Sequence, residues 1–179
     1  MTSQRKQFSG SVRFFHWLAA AIVLTMLVIG VAMVASLANY HLLISIHRPL
    51  GILLLIIVAL RLVNRLWRGG PELPITMSAQ EKFVARSSEI LLYVLLFVMP
   101  LVGWGMLSAA GFPIAMFGSV HLFPILPHNL ILYAILRKAH TYLAYLLFFA
   151  FVAHFGAALF HSLILRDGLF NRMAPWRAS

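Results

Sequence analysis

Long apolar runs dominate the chain, and its charges gather in the gaps between them. A helix crosses a hydrocarbon core of about 30 Å in roughly 20 residues. Four runs reach that length, at about 14–38, 43–66, 87–107 and 139–165. In the second, the uncharged centre from Pro49 to Leu60 is short, so Arg48 and Arg61 are expected to snorkel outward on their aliphatic stems. The third contains Pro100, a kink that neighbouring helices tolerate. The stretch from Ile131 to Leu136 is apolar but too short to span, and reads as interfacial. A very short link from Leu37 to Leu42 makes the first two helices antiparallel neighbours. The link from Arg68 to Arg86 opens with Gly69-Gly70-Pro71 and reads as a polar, turn-rich loop. The link from Ala109 to Lys138, with Gly111, Pro113, Pro124 and Pro127, reads as ordered loop with at most a short helix. The pattern predicts an all-α protein, a transmembrane four-helix bundle forming one domain over residues 1–179.

Composition agrees. The 179 residues are 62% apolar and only 10% charged, with a mean hydropathy of +0.93. A soluble domain carries about a quarter charged residues, and a chain this apolar is not disordered. The net charge of +10 fits a nucleic-acid partner or a bilayer. Its placement beside the apolar runs decides for membrane lipid and against nucleic acid. Eleven of the 14 basic residues fall on one side: Arg5, Lys6, Arg13, Arg61, Arg65, Arg68, Lys82, Arg86, Arg166, Arg172 and Arg177. Arg48, Arg137 and Lys138 fall on the other. By the positive-inside rule both termini are cytoplasmic, and the first apolar run is too long for a secretory signal. The absence of cysteine excludes disulfides, thiolate-held zinc, iron–sulfur clusters and covalent c-type haem.

Histidine carries the candidate chemistry. His140 and His154 lie 14 positions apart, which at about 100° per residue leaves them on one helix face and about 21 Å apart along the axis. His16 opens the first helix near the inner side, and His47 follows the short outer link. Two levels result, His16 with His154 inside and His47 with His140 outside. Two imidazoles facing each other at one level can hold a planar macrocycle as axial iron ligands. One turn after each stands a small residue on the same face, namely Ala20, Gly51, Ala144 and Ala158. Structural zinc wants four ligands close together, whereas these pairs are separated, and a cation carrier usually shows an acid at mid-membrane. Two non-covalent, bis-histidine haems are the better fit.

Softer signals surround these ligands. Arg13 and Arg48 neighbour them and suit haem propionates, because guanidinium matches carboxylate. Their plainer role is topological anchoring. Trp17, Trp67, Trp104 and Trp176 read as interfacial belt residues. His161, two turns beyond His154, is placed to face a small-molecule site below the inner haem rather than to bind iron.

Four segments resemble the prokaryotic cytochrome b561 family, and the likeness covers almost the whole chain. They are Arg13-Phe14-Phe15-His16-Trp17, Ile46-His47-Arg48-Pro49-Leu50-Gly51, the stretch from Lys138-Ala139-His140 through His154 to His161, and the tail Arg166-Asp167-Gly168-Leu169-Phe170-Asn171-Arg172-Met173. The resemblance implies a bacterial inner-membrane protein with two haems b, ligated by His16, His47, His140 and His154. It also implies electron exchange between a small anionic or protein donor at one face and the quinone pool, with a quinone site near His161. One branch is similar to superoxide oxidase, a superoxide:ubiquinone oxidoreductase; otherwise the protein is an electron carrier. The chain departs from that branch in its short first outer loop and in Ser162, where a second histidine often follows. Two other classes stay open: an anchor subunit for a soluble dehydrogenase or hydrogenase, and a haem-free metal or solute carrier.

Overall fold

The computed structural model of the chain describes residues 7–69, 77–116 and 120–174. Arg5, Lys6, Glu72, Trp176 and Arg177 lie outside them. Four long helices carry the architecture: α1 (Gly10–Ala35), α2 (Tyr40–Arg68), α3 (Ala79–Ala110) and α4 (Leu130–Leu159). α4 runs on through a π-helical turn, Phe160–Leu165, and a 3₁₀ turn follows at Phe170–Arg172. Between α3 and α4 two short strands, β1 (Ile114–Ala115) and β2 (His121–Leu122), pair antiparallel with Ile114 opposite Leu122. All four helices are long and apolar enough to cross a membrane.

Local chemistry explains where the helices begin and end. Ser78 and Glu81 start α3 with a reciprocal cap: the Ser78 hydroxyl accepts from the Glu81 amide at 3.2 Å, and the Ser78 amide donates to Glu81 Oε2 at 2.7 Å. Gly111 ends α3 in the left-handed region at φ +72°, donating its N–H to the Ser108 carbonyl. Asn129 starts α4 by accepting from the Leu132 amide at 2.9 Å, while its own N–H bonds the Ala109 carbonyl. The loop between α3 and α4 is strapped to α3 as well. Trp104 Nε1 donates to the Phe123 carbonyl at 3.0 Å, and the Ser108 hydroxyl accepts from the Ile125 amide at 3.1 Å.

Two readings of this region are corrected. Ile131 to Leu136 is not a separate interfacial piece; it forms the opening turns of α4. The helix starts at its Asn129 cap, and Arg137 and Lys138 sit on its exposed side without interrupting it. The link after Ala109 accordingly holds a small hairpin and then a full helix start, more order than its prolines and glycines suggest.

α1 packs along α2 and α3 along α4, and α2 joins the two hairpins by packing on α3. One buried layer unites all four: Ile22 and Val23 from α1, Leu54 and Val58 from α2, Leu95 and Leu96 from α3, and Leu147 from α4. Large apolar side chains such as Val28, Ile56, Val94 and Phe149 point outward. In lipid such exposure is ordinary, because tails solvate it and packing rather than water exclusion joins the helices.

Candidate functional site

The four histidines singled out by spacing meet in two pairs. His47 on α2 and His140 on α4 stand with ring centroids 6.3 Å apart and planes at 70°. His16 on α1 and His154 on α4 stand 6.4 Å apart with planes at 59°. Leu147 lies seven residues from each α4 histidine and is buried in the four-helix layer. Each pair therefore sits on its own side of a dry apolar floor. Gly51 is buried beside the outer pair, and Ala20, Ala144 and Ala158 are half-buried.

The outer level is cleared by α3. A Cβ on Gly103 would come within 3.3 Å of His140 Cε1 and 3.6 Å of its Nδ1, so the glycine lets the ring lie against the helix backbone. His47 Nδ1 and the neighbouring Arg48 Nε are buried without hydrogen-bond partners, while the His140 ring lies against the Met99 backbone of α3. Arg48 is half-buried, so it does not reach fully outward.

The inner level holds more polar groups than expected. Arg61 turns into the bundle instead of snorkelling away. Its Nη2 donates to His16 Nδ1 at 3.1 Å, and its guanidinium lies 5.0 Å from the centre of the Tyr93 ring. The geometry of α2 explains this direction. Arg61 follows His47 by 14 positions, the same interval that separates His140 from His154. It thus shares His47's face, one level deeper. That signal was present in the sequence, but the reading of Arg61 as a boundary charge hid it. Just below, Arg65 grips Glu89 through two bonds of 3.0 and 3.3 Å, and the Ser11 hydroxyl donates to Asn64 at 3.1 Å.

The remaining candidates have separate positions. Arg13 Nη1 donates to the Ala174 carbonyl at 2.9 Å and to Gln7 at 3.3 Å, so these bonds direct it to the tail. Trp17 joins it there, its indole N–H bonding the Met173 carbonyl at 2.7 Å. His161 lies in the π-helical turn, and its Nδ1 bonds Asp167 Oδ2 at 2.6 Å. The Leu169 amide holds the other carboxylate oxygen at 2.9 Å. The intervening Arg166 has a φ of +49°, and this tight turn brings Asp167 back over His161. Spacing did not disclose Asp167 as a partner, since the π turn changes the helical register. His121 lies on β2, and His128 lies just before α4, where it covers Gly111. Arg137 and Lys138 line a shallow groove near the start of α4 with Tyr133, Thr141 and Tyr142. Among the described residues, no three His, Asp or Glu side chains converge as a metal site.

Known proteins resemble this chain in sequence. The family model for prokaryotic cytochrome b561 matches residues 7–176. Cytochrome b561 homolog 2 of Escherichia coli (strain K12) is 30% identical over 162 residues, covering 89% of this chain and 86% of that protein. Cytochrome b561 homolog 1 of the same organism is 25% identical over 180 residues, covering 96% and 98%. With four membrane-length helices and a match along nearly its full length, the chain belongs to the prokaryotic cytochrome b561 family, multi-pass bacterial membrane cytochromes of b-type haem that work in electron transfer.

Proposed function

We propose that the protein holds two haems b, one between His16 and His154 and one between His47 and His140, and conducts electrons between an outer-face donor and the quinone pool. The ring separations carry this reading. Two metal–imidazole bonds of about 2 Å plus two ring radii of about 1.2 Å sum to roughly 6.4 Å. The two pairs stand at 6.3 and 6.4 Å. The buried Arg48 Nε–H, a donor without a partner beside His47, further suits a ligand that brings an acceptor. Bound haem supplies reversible one-electron chemistry at iron.

The chain's own residues do the rest. The imidazoles fix the two centres on opposite sides of the Leu147 layer, which excludes water between them. Arg48 offers its guanidinium to an anionic group at the outer level. Both termini are cytoplasmic on this reading, which puts Arg48, Arg137 and Lys138 at the periplasmic face, where they favour a small anion such as superoxide. At the inner end, Asp167 fixes the His161 ring through Nδ1 and leaves Nε2 to exchange a proton with a quinone oxygen.

The test is the reduced minus oxidised spectrum of the purified protein, with a pyridine haemochrome assay of haem per chain. About two b-type haems per polypeptide is the expected result. A folded, haem-supplied preparation without haem would overturn the reading. Superoxide and quinone are then assayed as donor and acceptor with the loaded protein.

A further inference from the structure

At the inner level the buried polar groups are not all paired. Among the described residues Arg61 has no carboxylate within ion-pair distance; Glu89, whose charge it feels from farther off, is gripped by Arg65. Tyr93 Oη is buried without a hydrogen-bond partner. A guanidinium inside a membrane bundle without a carboxylate is costly, and such residues usually serve a ligand.

The bond to His16 sharpens the point. Arginine only donates, so His16 Nδ1 accepts, and a neutral ring then carries its proton on Nε2. An imidazole that binds metal through Nε2 carries its proton on Nδ1 and donates it to an acceptor. Arg61 cannot be that acceptor. When His16 ligates iron through Nε2, the guanidinium turns its N–H groups to another acceptor. Within the chain Glu89 is already gripped by Arg65 through both oxygens, whereas a carboxylate that arrives with the ligand meets Arg61 directly. Haem b brings two propionate carboxylates, and guanidinium pairs with carboxylate in a bidentate way.

We propose that Arg61 and Tyr93 form the carboxylate cradle of the inner haem, with Arg61 clamping one propionate and the Tyr93 hydroxyl donating to it. The proposal rests on His16 and His154 being haem ligands. It gives Arg61 the role that sequence position suggested for Arg13, which bonds the Ala174 carbonyl and Gln7.

The experiment follows haem release from detergent-purified holoprotein to excess apomyoglobin, for wild type, Arg61→Gln, Arg61→Lys and Tyr93→Phe. Each is repeated after reconstitution with haem dimethyl ester, which lacks free carboxylates. The inner phase is the one missing from His154→Ala. With native haem, Arg61→Gln should release the inner haem at least tenfold faster, with Arg61→Lys intermediate and Tyr93→Phe a few-fold faster. With the diester, wild type and Arg61→Gln should release it equally fast. Equal acceleration for haem and diester would show that Arg61 acts through His16 or packing, and would overturn the cradle. So would a native-haem rate unchanged in Arg61→Gln. If Arg61→Gln retains no inner haem, Arg61→Lys decides: slow release of haem with fast release of diester supports the cradle, and equal rates overturn it. A wild-type chain without haem overturns the ligand reading and the cradle together; haem bound with Arg61→Gln indistinguishable from wild type overturns the cradle alone.

Discussion

His47 and His140 face each other across α2 and α4 with their ring centroids 6.3 Å apart, although 93 positions of sequence separate them. No residue of the inner pair contributes to this level. Replacing either His47 or His140 with alanine should therefore remove one haem and leave the other spectrally intact. Haem per chain should fall from about two to about one, by pyridine haemochrome and by the reduced minus oxidised spectrum. Loss of both haems from a protein that still elutes as folded would break the two-level arrangement.

Gly103 makes a more local demand. The added methyl of Gly103→Ala would meet His140 at 3.3 Å, close enough that the ring must yield slightly. Gly103→Leu cannot be absorbed this way, and overpacking of this kind costs about 1–3 kcal/mol. The leucine variant should lose the outer haem selectively, while the alanine variant keeps it with a shifted outer band. Equal haem content in wild type and Gly103→Leu would mean that His140 does not need the backbone of α3.

Basic residues at the outer end should act through rate rather than structure. Neutralising Arg137 and Lys138 should slow reduction by an anionic donor at low salt and flatten its dependence on ionic strength, since such fields fade over about 10 Å at 0.1 M. Stopped-flow traces across a salt series check this. An unchanged rate at low salt removes electrostatic steering, without touching the haem ligands.

Trp17 ties the tail to α1 through one indole hydrogen bond. Trp17→Phe keeps the ring and removes the donor, at a net cost of about 1 kcal/mol, a factor of about five in local opening. Tryptic cleavage after Arg172 should accelerate by roughly that factor, with haem content unchanged. No change in cleavage would mean that Arg13 and Phe8, which also bond the tail backbone, hold it without help.

The histidine pairs were legible because a 14-residue interval fixes both face and depth on a straight helix, and two short facts of topology set the levels. Arg61 obeys the same interval from His47, yet a lone arginine near a span end also fits simple anchoring, and no one-dimensional pattern separates the two. The start of α4 was lost for a related reason. Hydropathy ends a segment at Arg137-Lys138, whereas the backbone ends it at the Asn129 cap. Asp167 reaches His161 only because a local π turn breaks the regular helical spacing, and Gly103 matters through a contact with another helix, which assembled packing alone reveals.

If two haems sit on either side of the buried layer around Leu147, electron passage between them is electrogenic. On the proposed reading, charge moving between the two levels travels about 21 Å of a core about 30 Å thick. A full crossing is worth about 2.3 kcal/mol per 100 mV. The share felt here is then roughly 1.6 kcal/mol per 100 mV, more than a tenfold change in the sharing of one electron between the haems. With a negative cytoplasm, inward flow toward His16 and His154 is opposed and outward flow is assisted. The resting voltage of the cell would thus bias which haem stays reduced, with no moving part in the protein.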